Sequence, residues 1–247
     1  MRRILLALVM FAAVIAAASA RQNNNPAADF GSVREFIKQQ LGERRLPSVA
    51  VAVARDGRII WEEAFGWADV EKRIPAMPHT MYSLASISKP ITATGLMILK
   101  ERGRIELDRP INEYLGEAKI TAHVGNPADA TVRRVANHTA GLPLHYQFFY
   151  EDEPYRAPSR DETIRRYGAC VTAPGEHYQY SNLGYGILDH VITRVSGLSY
   201  ADFMREEVFL PLGLTHTSVN IGPGLEKHQA VRYRIDGSPT QICRTRC

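Results

Sequence analysis

Asp56-Gly57 is the feature that most restricts the folds open to this chain. It sits between two runs of β-branched and small residues, Ser48 to Ala54 and Arg58 to Phe65. An Asp-Gly pair readily takes the left-handed backbone of a two-residue hairpin turn, so the two runs are predicted to be adjacent antiparallel strands. A helix should precede them. Ser32 is placed to cap it, Glu35 completes a capping box, Val33, Phe36, Ile37 and Leu41 form its apolar face, and Gly42 ends it.

Beyond Met81 the pattern turns helical. Pro90 cannot sit deep in a helix, so the helix carrying Ile91, Leu96, Met97 and Leu99 should begin near Ser86 and stop at Gly103. Thr131 to Asn137 reads as a short helix, followed by the turn His138-Thr139-Ala140-Gly141-Leu142-Pro143. Gln147 to Arg160 is polar, aromatic and irregular, as a loop at a site mouth would be. Leu183 to Val195 is helical, burying Ile187, Leu188, Val191, Ile192 and Val195. Ser199 opens another helix, which ends before Pro211-Leu212-Gly213-Leu214. Ala230 to Arg234 reads as a strand with Asp236-Gly237 as the turn after it. The expected fold class is α/β of the α+β kind, an antiparallel sheet flanked by helices plus a mainly helical subdomain. Two opening strands and one late strand leave a long unpaired edge, so the C-terminal sheet strands are expected to be missing.

The first twenty residues stand apart. Arg2 and Arg3, the apolar run Ile4 to Ala17 and the small residues Ala18-Ser19-Ala20 follow the order of a secretory signal peptide. The run is too short and wrongly flanked for a spanning helix, although an uncleaved anchor is the alternative. No Cys follows Ala20, so a lipoprotein anchor is not indicated. The expected organisation is a signal peptide at 1–20, a linker at 21–28, an incomplete folded domain at 29–237 and an atypical tail at 238–247. Such a chain would be exported, to the periplasm or the medium of a bacterium, with no stable membrane span after cleavage.

At 247 residues the chain can bury a sizeable core. Its 30 basic residues, less Arg2 and Arg3, stand against 26 acidic ones, so the net charge of +4 falls to about +2 without the leader. No basic stripe is interleaved with aromatics, and nucleic acid is not an expected partner. The three cysteines, Cys170, Cys243 and Cys247, are odd in number and lack Cys-x-x-Cys spacing, which fits neither a disulfide framework nor a zinc site. A Cys243–Cys247 bridge is conceivable in an oxidising compartment, but a frayed tail is preferred. The 8 histidines show no His-Glu-x-x-His spacing, and neither a metal nor another cofactor is expected.

Ser86-Ile87-Ser88-Lys89 carries the chemistry. Residues three apart on a helix share a face, with about 5–6 Å between Cβ atoms, so Lys89 can reach Ser86 Oγ. A serine hydroxyl becomes a nucleophile only with a base or cation beside it, and a helix N-terminus favours the developing alkoxide. Taken alone, the pair is better explained as a capping serine and a solvated lysine. Tyr180-Ser181-Asn182, the only Tyr-x-Asn in the chain, shifts that balance. A tyrosine beside an ammonium has a depressed pKa and can carry a proton. Asn182 could hold a substrate amide or position the lysine; by itself it reads as the cap of the helix that follows.

Ser86-Ile87-Ser88-Lys89-Pro90, His138-Thr139-Ala140-Gly141-Leu142-Pro143, Tyr180-Ser181-Asn182-Leu183-Gly184-Tyr185 and Pro211-Leu212-Gly213-Leu214-Thr215 occur in this order. Together they resemble the class C β-lactamase family, which includes related D-alanyl-D-alanine carboxypeptidases and esterases. The likeness runs from about Leu46 to Gly237. It implies that Ser86 is the acylated nucleophile, Lys89 its activating lysine, Tyr180 the general-base partner and Asn182 a substrate-binding residue. Gly141 and Pro143 would form a structural turn, and Pro211-Leu212-Gly213 a helix stop. The family's third motif is a Lys or His followed two residues on by Gly, in a strand that gives part of the oxyanion hole. No such motif follows Gly237, so the resemblance implies a C-terminally truncated member.

The function so implied is a serine hydrolase that works through an acyl-enzyme on an amide, β-lactam or ester carbonyl of a small molecule or peptide. Whether Lys89 or Tyr180 is the base is not decided by the residues. Two alternatives stand beside it: a non-catalytic relative that binds cell-wall peptides, and an inactive truncated product. Retention of Ser86, Lys89 and Tyr180 together argues against an evolved loss of catalysis. Neither the substrate nor the oligomeric state is written in the sequence.

Overall fold

A computed structural model describes residues 29–44, 46–147 and 154–240. The leader, the linker, Cys243 and Cys247 lie outside these residues, as do positions 148–153 of the expected loop. Strands β1 (Ser48–Arg55) and β2 (Arg58–Asp69) pair antiparallel, from Arg55↔Arg58 back to Ser48↔Gly66. Asp56 and Gly57 have φ of 51° and 73°, the left-handed pair whose twist suits a hairpin. β2 runs past the expected Phe65 and meets β3 (Ile74–Pro75), giving the order β1-β2-β3. The third strand of the sheet therefore comes from directly after the hairpin.

Helix α1 (Gly31–Arg44) differs from its expected bounds. The Asp29 carboxylate accepts the Gly31 N–H at 2.8 Å, so Ser32 lies inside the helix and forms no capping box. The helix also passes through Gly42. Val33 and Phe36, expected to be buried, are 41% and 59% exposed. What fastens α1 to the sheet is partly polar. The Arg34 guanidinium binds Glu63 at 2.6 Å and lies over the Trp61 ring, while Phe30 stacks on that ring with 4.5 Å between centroids.

The core is helical. α2 (Ser88–Glu101), α3 (Val132–Ala136), α4 (Arg160–Tyr167) and α6 (Tyr200–Met204) all pack on α5 (Asn182–Ser196). Leu96, Leu99, Leu183, Ile187, Leu188, Ile192 and Phe203 are buried there. Met97, carried by the same helix as Leu96, is 46% exposed. Pro90 is the third residue of α2, where the missing N–H has no intrahelical partner to lose. Arg160, expected to close a loop, begins α4 behind a Ser159–Glu162 capping box. Two short parallel strands, β4 (Thr121–Ala122) and β5 (Ala169–Cys170), bury Cys170 against this core.

Ala230 to Arg234 does not form a strand. The Ala230 N–H binds Met81 O and the Val231 N–H binds Ala68 O, so consecutive donors go to different segments and no ladder develops. The Asp236-Gly237 turn is present but closes only a single bridge, Tyr233↔Pro239. Among the described residues no helix is long and apolar enough to cross a membrane.

Candidate active site

The chain enters α2 through a 3₁₀ turn, Ala85–Ile87. Ala85 has φ of 46°, a left-handed conformation that costs an L residue about 1–2 kcal/mol. Ser86 follows it and is exposed, flanked by Leu84 and Ile87 at 39% and 64% exposure. Thr92, one turn past Lys89, shares a 2.7 Å hydrogen bond with Tyr200 Oη and so ties α2 to α6. The turn that carries Ser86 is thereby mounted on a helix whose inner face, with Thr92, Gly95, Leu96 and Leu99, is buried.

All four site residues expected from the sequence meet here. Ser86 Oγ accepts hydrogen bonds from Tyr180 Oη at 2.7 Å and from Lys89 Nζ at 3.1 Å. Lys89 also donates to Asn182 Oδ1 at 2.6 Å. Its ammonium lies 4.7 Å from the Tyr180 ring centroid and 5.6 Å from that of Tyr185, over both faces. Lys89, and then the hydrogen bond to Ser86, hold the Tyr180 phenol below the usual tyrosine range. Tyr185, whose hydroxyl donates to Ala136 O at 2.9 Å, is pushed the other way by burial. Two neighbouring phenols thus differ in acidity because Lys89 and Ser86 hydrogen-bond to one hydroxyl, whereas burial governs the other.

Asn182 is not a helix cap. Ser181 fills that position, its Oγ accepting the Gly184 N–H at 2.9 Å and donating to Pro143 O at 2.7 Å. Asn182 is therefore the first residue of α5, with its side chain turned to Lys89. Because the ammonium can only donate, the amide oxygen faces it, and Asn182 Nδ2 is left to donate to His145 Nδ1 at 3.1 Å.

The segment from His138 to His145 is thus more than a turn. His138 O accepts the Gln179 N–H at 2.7 Å, His138 Nδ1 accepts the Ser181 N–H at 3.1 Å, and Leu144 O accepts the Asn182 N–H at 2.9 Å. Gly141, with φ of 72°, packs its Cα against the Thr172 carbonyl, where a Cβ would overlap. Burial and then the Lys89 charge lower the His138 pKa. Neither His138 nor His145 was singled out from the sequence. The available signal was their place, His138 opening the His-Thr-Ala-Gly-Leu-Pro block and His145 lying two residues beyond Pro143, both able to accept from a neighbouring loop.

Comparison with known proteins matches the family described as Beta-lactamase over residues 33–244. Penicillin-binding protein 4* of Bacillus subtilis (strain 168) is 32% identical over 211 residues, covering 82% of this chain and 45% of that protein. Protein flp of Staphylococcus aureus (strain MRSA252) is 26% identical over 206 residues, covering 82% of this chain and 41% of that protein. The chain thus spans a little under half the length of these curated relatives. The solved structure of the octameric penicillin-binding protein homologue from Pyrococcus abyssi superposes with a TM-score of 0.71 at 27% identity, over 87% of this chain and 50% of that one. The mixed helix and strand architecture, a small antiparallel sheet with helices, matches the fold of that solved structure.

Proposed function

The chain belongs to the Beta-lactamase family, and from that premise we propose that it is a serine hydrolase acting through an acyl-Ser86 intermediate. The observation that carries this reading is the convergence of Tyr180 Oη and Lys89 Nζ on one exposed oxygen, Ser86 Oγ. A hydroxyl touched by two proton-carrying groups, one of them a phenol made more acidic, is an activated nucleophile.

In the proposed reaction, Ser86 gives its proton to the Tyr180 phenolate, which Lys89 stabilises, as Oγ attacks the substrate carbonyl carbon. The negative charge of the tetrahedral adduct falls near the Ser86 N–H, in the first turn of the helical run, where backbone donors favour it. Tyr180 then returns the proton to the departing nitrogen or oxygen, leaving an ester on Ser86. Water, deprotonated by the same pair, releases the acid and restores Ser86. Asn182, held between Lys89 and His145, fixes the ammonium, and in this reading it also meets a substrate amide.

The substrate class in this reading is an amide, β-lactam or ester carbonyl of a small molecule or peptide. Relatives named as penicillin-binding proteins support the first two. Export is part of the same reading, resting on Arg2, Arg3 and the apolar run up to the small residues Ala18-Ser19-Ala20. The test is covalent labelling with a fluorophosphonate and with a fluorescent penicillin, the adduct being mapped by mass spectrometry. The expected result is one adduct on Ser86, lost in Ser86→Ala. A folded protein that labels with neither reagent, or labels equally well as Ser86→Ala, would overturn it.

A further inference from the structure

One residue grips Tyr180 from both sides. The peptide N–H groups of Gln179 and Ser181, which bracket Tyr180, donate respectively to the carbonyl and to Nδ1 of His138. The His138 ring also lies 4.5 Å from the Tyr180 ring, 5.3 Å from that of Tyr185 and 5.7 Å from that of Tyr178. His138 holds φ at 65°, a backbone state that L residues seldom take and that clusters at functional sites. Its surroundings tie it to the residues on either side of one phenol.

We propose that His138 is a positioning residue, whose neutral ring acts through the Ser181 N–H to set the Tyr180 hydroxyl against Ser86 Oγ. Its effect on rate rests on the hydrolase reading above, whereas the grip on the loop does not. Only a neutral imidazole with a bare Nδ1 can accept the Ser181 N–H. The groups facing the ring are Lys89 from α2, Tyr178 and Tyr180 from the loop, and Tyr185 from α5. None of these four is a carboxylate that would stabilise an imidazolium. Protonation would remove the acceptor and set a second positive charge beside Lys89.

Two substitutions separate the acceptor from the backbone. Asparagine tolerates the left-handed region and offers an oxygen near the place of Nδ1, whereas glycine suits the backbone and offers nothing. The measurements are the pH profile of Ser86 acylation by a fluorophosphonate and the hydrogen exchange of the Ser181 amide by NMR. His138→Gly is expected to slow acylation about 10- to 100-fold, as small displacements of a reacting group do. It should also speed Ser181 exchange about tenfold or more. His138→Asn is expected to recover most of both and to lack the acid limb that the wild type shows below the usual histidine range.

Acylation and Ser181 exchange at wild-type values in His138→Gly would overturn the proposal. Should that variant fail to fold, persistence of the wild-type acid limb in His138→Asn would overturn it instead. If the wild type itself is not labelled at Ser86, the hydrolase reading fails, and the exchange measurement still decides whether His138 holds the loop.

Discussion

Lys89 Nζ lies 2.6 Å from Asn182 Oδ1, closer than the 3.1 Å that separates it from Ser86 Oγ. The amide, more than the serine, fixes where the ammonium sits. Removing it in Asn182→Ala leaves Lys89 free to turn away from Ser86. Hydrogen bonds to charged groups contribute about 1.5–3 kcal/mol, which corresponds to roughly a 10- to 100-fold fall in the acylation rate. Fluorophosphonate labelling under single-turnover conditions measures this, and a variant that labels at the wild-type rate would refute it.

Tyr180 should impose an alkaline-rising limb on acylation, displaced to lower pH than a free phenol would give, because Lys89 and Ser86 favour the phenolate. The sign is testable in Lys89→Met. Loss of the ammonium returns the phenol towards its usual range, so whatever limb survives must move to higher pH. Tyr180→Phe should remove the limb and slow acylation about 10²- to 10⁴-fold. An unmoved limb in Lys89→Met would show that the lysine does not act on Tyr180.

Gly141→Ala tests the scaffold under the site. At φ of 72° an alanine is strained, and its Cβ would overlap the Thr172 carbonyl. The expected loss is about 1–3 kcal/mol of stability, a fall in Tm of several degrees in a chain of this size. Because Gly141 lies in the segment that holds Tyr180 and Asn182, acylation should slow as well. A thermal melt and the labelling assay report the two effects separately.

Acidification from pH 7 to 5.5 should lower Tm, above the range where carboxylates titrate. Burial holds His138 and His190 below the usual histidine pKa of 6.5 in the folded chain, with Asp161 partly opposing the effect at His190. Below that pH the unfolded chain therefore binds protons that the folded chain does not. The stabilisation is complete above pH about 6.5 and disappears as pH falls through the lowered values. His190→Gln should flatten the dependence, and a Tm that rises on acidification would contradict this account.

What the sequence made legible was local. Asp56-Gly57 marks a hairpin because the turn conformation belongs to those two residues, and Ser86 and Lys89 can be paired because a three-residue spacing sets their distance, although that spacing alone favours a cap and a surface lysine. Tyr180 and Asn182 stood out as the chain's only Tyr-x-Asn, with roles that the resemblance implied, and the structure brings them to the Ser86 oxygen and the Lys89 ammonium. The misreadings are non-local. Ala230 to Arg234 has the pattern of a strand, but its donors find Met81 and Ala68 and not a neighbouring ladder. Asn182 and Ser181 are both residue types that cap helices, and the hydrogen bond that Ser181 Oγ donates to Pro143 O decided for Ser181. His138 and His145 act on backbone and amide groups far along the chain, and no spacing rule reaches that distance.

Ser86 and Tyr180 are 94 residues apart, and Lys89 and Asn182 are 93 apart. During synthesis at about 5–20 residues per second, the serine emerges on the order of 5–20 s ahead of its tyrosine. Through that interval Lys89 stands beside it without Asn182, and closing so long a loop needs the docking of α5 on α2. On the proposed mechanism, full reactivity at Ser86 should therefore serve as a clock for assembly. A nascent chain that takes up the label at the full rate is expected to have brought its second helical half home.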